Sequence, residues 1–229
     1  MEPVDAVEGA KPAEAFREPA DESANLVFAM CHEISNLVAA VRLKAHLLDE
    51  DLDARGLAVA SLEIDDLSAR SAMLLALVRP VLIAPPEEIP PIGAGVIALG
   101  FERALAEYGG RGFEIIFEIE PRLPDVRAEP EVLHYILLCH AYGAMEAMGT
   151  MDSGERIRIE VVAAEKEVIF AVEDQAPADE EHLKWWESSL RGRALESAVA
   201  NYILTRRGAR FEVRRRGDCN RTEIVVPRI

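Results

Sequence analysis

The chain is short of cysteine, of aromatic residues and of positive charge. Its three cysteines, Cys31, Cys139 and Cys219, are an odd number without the paired spacing of a zinc site. Neither a disulfide framework nor a structural metal is expected. Lys and Arg number 25 against 41 Asp and Glu, a formal charge of −16. Binders of nucleic acid and membrane surfaces concentrate cations to displace counterions, so this balance argues against both and leaves proteins as the expected partners. No uninterrupted apolar run approaches the roughly 20 residues of a membrane span. The N-terminus also lacks the basic start and apolar core of a secretion signal, and the expectation is a cytoplasmic protein. What is present is ordinary globular material, 50% hydrophobic and 29% charged over 229 residues, enough for one or two domains.

Residues 1–20 are rich in Ala, Glu and Pro and read as a solvated acidic tail. A helical hairpin is predicted over 21–86. Asp21 and Ser23 can cap its first helix, whose apolar seam Val27, Met30, Ile34, Leu37, Val41 and Leu48 steps by threes and fours. A break at 52–56 precedes a second seam through Ala60, Ile64, Leu67, Leu74, Val78 and Val81, and Pro85-Pro86 ends it. A lone hairpin leaves one apolar flank uncovered, which pairing into a four-helix bundle would bury, so a homodimer is expected. Residues 87–229 alternate helices (92–108, 129–148, 194–206) with strands (113–120, 156–162, 168–172, 211–213, 224–226) and read as an α/β sandwich. The fold class is α+β.

On the first helix a second stripe, Asn25, Ala29, His32, Asn36, Ala39 and Leu43, lies away from the seam, with His46 continuing it. His32 therefore faces solvent or a partner. Glu33 sets a carboxylate beside the imidazole and Asn36 an amide one turn on, a grouping suited to nucleophilic attack on phosphorus. Ala29 and Ala39 leave room for another protein, with Leu43 and His46 as docking contacts.

His-Glu-x-x-Asn in a two-helix hairpin followed by this α/β order resembles the core of the two-component histidine kinases, over about residues 22–229. The resemblance implies that His32 is the phosphoacceptor, Glu33 the assisting acid or base, and Asn36 an orienter of water or phosphoryl. Leu37 stands where that family usually has Pro. The family's ATP site is not matched. Helix 129–148 carries Cys139 and Gly143 where metal-binding Asn residues are expected, and neither offers an amide oxygen. In Asp174-Gln-Ala-Pro-Ala178, the adenine-recognising Asp174 survives, but Ala176 and Ala178 replace two glycines. Only Gly192 remains of the Gly-rich loop that would cradle phosphate.

This pattern is similar to the histidine phosphotransferases that resemble degenerate kinases, the ChpT-like group. It implies shuttling of a phosphoryl group between receiver-domain aspartates, with no cofactor of the chain's own and with Mg supplied by the partner receiver. The implied partners are response-regulator receivers and the receiver of a hybrid histidine kinase. A divergent kinase still reading ATP through Asp174, and a scaffold that carries no phosphate, are the alternatives. His134 and His140, six apart on one helix, read as structural. The Trp185-Trp186 pair reads as core closure or as a partner anchor. The run Arg206, Arg207, Arg210, Arg214, Arg215 and Arg216 reads as a solvated edge-strand face or as an attractor for acidic receivers.

Overall fold

The computed structural model describes residues 19–48, 53–108, 114–148, 156–177, 180–185 and 190–229; the acidic segment before Pro19 lies outside them. Helix α1 (Pro19–Leu47) and helix α2 (Ala54–Leu82) pack lengthwise as the predicted hairpin. Asp21 and Ser23 prove to lie inside α1 rather than at its cap. Pro19 suits a first turn, where its missing N–H would be unpaired in any case. Asp53 caps α2, its Oδ1 accepting from the Gly56 amide at 2.7 Å. Pro80 is accommodated within α2, which ends before Pro85-Pro86 as expected. Although no uninterrupted run was expected, Glu22–His46 is by length and composition apolar enough to cross a membrane. Here it lies along α2.

The second unit opens with a strand where the sequence pattern predicts the start of a helix. β1 (Pro91–Gly93) pairs antiparallel with β3 (Asp125–Arg127), with Ile92 opposite Val126. The helix α3 (Ala94–Tyr108) starts only after it. The remaining elements are β2 (Glu114–Ile119), α4 (Pro130–Met148), β4 (Arg156–Ala163), β5 (Glu167–Asp174), a short α5 (Glu180–Leu183), α6 (Gly192–Thr205), β6 (Arg210–Arg216) and β7 (Cys219–Pro227). Their sheet runs β2-β4-β5-β7-β6, parallel only between β2 and β4.

Alternation along the strands divides the sheet into two faces. Ile157, Ile159 and Val161 of β4, Val168, Phe170 and Val172 of β5, and Ile224 and Val226 of β7 are buried in the core with Phe101 and Leu105 of α3, Ile136 and Leu137 of α4, and Leu195 and Ile203 of α6. Leu26, Met30, Met73, Leu77 and Val81 of the hairpin belong to the same continuous core, so the hairpin's upper end is fixed to the α/β unit. Each fully buried side chain such as Phe101 contributes about 1.5–3 kcal/mol by transfer from water.

The opposite face is a lattice of charge. Arg156 bonds Glu114 at 2.7 Å, Arg221 bonds Glu160 at 2.5 Å and Glu223 at 2.6 Å, and Arg214 reaches Glu223 at 2.6 Å. The C-terminal arginines are largely spent in this way. Arg210 is paired with Glu167, Arg207 with Glu129, and Arg206 stacks on Tyr202 while its Nη1 donates to the Val81 carbonyl. β6 is the sheet's edge, and its charges match the edge-strand reading of the cluster.

Candidate functional site

The α1 surface bears the His32 stripe. His32, Asn36, Ala39, Leu43 and His46 are exposed and Ala29 is half-buried, while Leu26, Met30 and Leu37 on the other side are buried. Spacing by four brings the Asn36 amide Nδ2 to 3.2 Å from His32 Nδ1. In this orientation the amide donates to Nδ1. Turned over, its oxygen would accept from Nδ1–H, and Nε2 would present its lone pair outward. Cys31, also exposed, is a free thiol.

Glu33 sits about 100° round the helix from His32, and its carboxylate reaches toward α2, with Oε1 3.9 Å from Arg70 Nη2. Arg70 is almost fully buried. Its Nε donates to Glu196 Oε1 of α6 at 3.0 Å, its Nη2 lies 2.9 Å from the same oxygen, and its Nη1 is bonded to Glu146 of α4. Burial works against the arginine's charge, but the Glu196, Glu146 and Glu33 carboxylates outweigh it and hold the guanidinium charged. Burial pushes Glu196 up, opposed by Arg70 and Arg193. Sequence reasoning missed this cluster. The signal available was a charged residue at position 70 on the Leu67–Leu74 seam.

The positions matched to the metal-binding asparagines are occupied from within. A Cβ on Gly143 would stand 2.6 Å from Glu196 Oε2 and 3.2 Å from Arg193 Cγ, so glycine there makes room for α6 side chains. Cys139 is buried beneath them, and burial, reinforced by Glu196, raises its thiol pKa well above the ordinary range.

Asp174 is likewise consumed. It ends β5, 1% exposed. Its Oδ2 accepts from Arg193 Nη2 at 2.7 Å, and its Oδ1 accepts from Asn220 Nδ2 at 2.8 Å and from the Ala176 amide at 3.0 Å. Behind this pair lie two buried histidines. His140 donates from Nδ1 to the Ile136 carbonyl at 2.8 Å and packs with its ring tilted against Phe211, centroids 5.1 Å apart, and burial drives its pKa down to about 4. His182, 3.1 Å from Ser197 Oγ, is lowered further by burial and by Arg193. Trp185 packs edge-on to Phe211 in the core, as core closure requires; Trp186 and Ala178 lie outside the described residues. His134 also has a structural place, its Nε2 3.1 Å from the Ile97 carbonyl against Gly100. Among the described residues no cluster of His, Cys, Asp and Glu is suited to hold a metal. Among the described residues, the Asp174 carboxylate that the kinase resemblance would assign to adenine has its oxygens engaged by Arg193, Asn220 and the Ala176 amide.

No family model matches the chain, and no curated protein matches it in sequence. Solved structures do match. The histidine kinase AdeS of Acinetobacter baumannii superposes with a TM-score of 0.57 at 13% identity, covering 86% of this chain and 98% of that one. The fold is that of a histidine kinase core. Histidine kinase ThkA, solved in complex with the response regulator protein TrrA, gives 0.56 at 15% identity over 93% of this chain and 65% of its own. A structure described as a bacterial phosphotransferase gives 0.51 at 13% over 92% and 98%. At such identities the kinase-core likeness concerns architecture, and function rests on the site's residues.

Proposed function

We propose that this protein is a histidine phosphotransferase of a two-component phosphorelay, passing a phosphoryl group between receiver-domain aspartates through His32 without using ATP. The observation that carries the reading is the contrast between two sites on one kinase-core fold. His32 stands exposed with Asn36 on its Nδ1, while Asp174 is buried in bonds to Arg193, Asn220 and Ala176. ThkA's structure with a response regulator supports a receiver as the partner for a fold of this kind.

In the proposed reaction a ring nitrogen of His32 attacks the phosphorus of an aspartyl phosphate on a receiver. The N–P bond forms as the acyl O–P bond breaks, and the electron pair leaves with the aspartate carboxylate. The proton on the other ring nitrogen, within reach of Asn36, is held there or passes to Glu33 or water. Onward transfer reverses these steps to another receiver's aspartate. The chain's contribution is alignment of nucleophile and phosphorus, and any Mg belongs to the receiver. Ala29, Ala39, Leu43 and His46 form the surface on which the receiver would sit.

Homodimerisation accompanies the reading. A second apolar stripe on α1, through Val27, Cys31, Ile34, Val38, Val41 and Ala45, steps by threes and fours on a side away from His32. α2 presents Leu57, Ile64, Leu75, Val78 and Leu82 in matching heptad-like steps. Leu75 is 62% and Val38 47% exposed, as expected of a flank that another hairpin covers.

The test is to incubate the protein with labelled ATP alone and then with a labelled phospho-receiver, using wild type and His32→Ala. Label only from the receiver, lost in His32→Ala, is the expected result. Label from ATP alone would make it a kinase, and no label from a range of receivers would make it a scaffold.

A further inference from the structure

We propose that α1 carries a two-point dock for a receiver domain whose phosphoaspartate lies in a carboxylate-walled pocket, with Phe28 as the apolar anchor and Arg42 as the electrostatic contact at the rim. The inference rests on the phosphotransferase reading for its partner and adds which side chains hold that partner. Phe28 is 76% exposed, the most exposed large apolar side chain among the described residues. Four residues before His32, it lies on the same face of the helix, about 6 Å along the axis. The contacts of α1 with the rest of its own chain are made on the other side, through Leu26, Met30 and Glu33. Val27, Ile34 and Val41, at the centre of the flank assigned to the homodimer, stand about 100–140° round the helix from Phe28. A second copy packed on that flank therefore leaves the ring open.

Charge identifies the occupant. The chain carries 41 acidic residues, yet from Ala24 to His46 no exposed position of α1 holds an Asp or Glu. Glu33 is the one carboxylate in that stretch, and it is partly buried and turned toward Arg70. Of the two basic residues there besides histidine, Lys44 is committed to Glu63 of α2 at 2.6 Å. Arg42 is exposed, with no carboxylate paired to it among the described residues. A protein of net charge −16 repels acidic partners as a whole. A pocket that holds Mg with an aspartyl phosphate is walled by carboxylates, and it can close on His32 only where the surrounding surface is clear of them. The acid-free face of α1 meets that condition.

Size sets the two roles apart. A specific interface covers about 800 Å² on each partner, a patch reaching roughly 16 Å from its centre. Centred on His32, such a patch takes in Phe28 well inside its border. Arg42, ten residues on and about 15 Å along the axis, falls at the edge. Central aromatics carry affinity, whereas rim charges carry association rate and salt dependence.

The experiment uses the full chain as wild type, Phe28→Ala, Phe28→Leu, Arg42→Glu and, as a control, Arg79→Glu at an exposed cation of α2. The probes are purified receiver domains of the same organism, bound to beryllofluoride as a stable mimic of aspartyl phosphate for binding, and phosphorylated with acetyl phosphate for transfer. Phe28→Ala should weaken binding of the beryllofluoride receiver about tenfold at every salt concentration, with Phe28→Leu between it and wild type. Arg42→Glu should slow association severalfold at low salt, an effect that vanishes in half-molar salt. In transfer, both should raise the half-saturating receiver concentration and leave the saturated rate unchanged, and Arg79→Glu should alter neither. Receiver binding unaltered in folded Phe28→Ala would overturn the inference. So would a Phe28→Ala chain that loses self-association while binding receivers as wild type does, or a failure of every receiver to bind. Receivers that bind through Phe28 yet leave no phosphoryl label on His32 would keep the dock and sink the phosphotransferase reading.

Discussion

Asn36 is the side chain in contact with the imidazole of His32, at 3.2 Å from Nδ1, and its amide can hold a water against a phosphoryl group on the ring. Asn36→Ala should therefore leave transfer in place while lengthening the phosphohistidine lifetime severalfold, as followed by loss of label from the isolated phosphoprotein. An unchanged lifetime would reduce Asn36 to a surface residue. His140 offers a prediction of a different kind. Burial lowers its pKa from 6.5 to about 4, so between those values the unfolded chain binds a proton that the folded one refuses. Stability is then fully present above pH 6.5 and is lost as the pH falls toward 4, by an amount on the order of 3 kcal/mol. His182 acts in the same sense, while Glu196, raised by burial, acts in the opposite one. Comparing urea unfolding of wild type and His140→Gln at pH 7 and pH 4.5 isolates the His140 share, because glutamine can still donate to the Ile136 carbonyl. A pH dependence as steep in the variant as in wild type would refute the assignment.

At the scale of elements, the join between β5 and α6 decides what the second domain can do. Arg193 in the first turn of α6 neutralises Asp174 at the end of β5, both buried, at 2.7 Å. Arg193→Met should cost about 3–5 kcal/mol by stranding that carboxylate, and Asp174→Asn in the same chain should restore much of it. Chemical denaturation of the two variants checks this, and equal instability in both would show that Asp174 was not held as a charge. Gly143→Ala on α4 tests the same filled space. Its Cβ meets a Glu196 oxygen whose side chain Arg70 pins, so a loss of about 1–3 kcal/mol is expected from overpacking, and a neutral effect would mean that Glu196 can move aside. The long helices were legible because their threes-and-fours periodicity is carried by Met30, Leu37, Leu74 and Val81, all buried. The strands β1 and β3 were not, since three residues give no alternation to read. Asp21 and Ser23 misled because a capping residue type carries no mark of whether the helix has already begun. Of the site, the exposed stripe was readable from spacing, and the loss of the asparagines and glycines from the residues themselves. The Arg70–Glu196 bond joins residues 126 apart, and no local pattern announces such a pair.

The whole molecule poses a problem of uncovered surface. The hairpin's upper end shares its core with the α/β unit through Leu26, Met30, Met73, Leu77 and Val81. The stripe through Val38, Leu57, Leu75 and Leu82, all exposed, has no such cover. A single chain cannot hide it, because the α/β unit already occupies the side of α2 that carries Arg70, Met73 and Leu77. A second hairpin brought against this flank in antiparallel four-helix packing would bury it and would leave the His32 stripe facing outward on each copy. Leu75→Glu places a carboxylate in the middle of the seam, and two copies meeting there would bury two like charges. The variant should sediment as a folded monomer, with helix content unchanged, at concentrations where the parent chain is a dimer. A parent chain that is monomeric at tens of micromolar, or a Leu75→Glu dimer as tight as the parent, would mean that the flank is covered by something other than its own copy. The receiver would then be meeting one His32 rather than two.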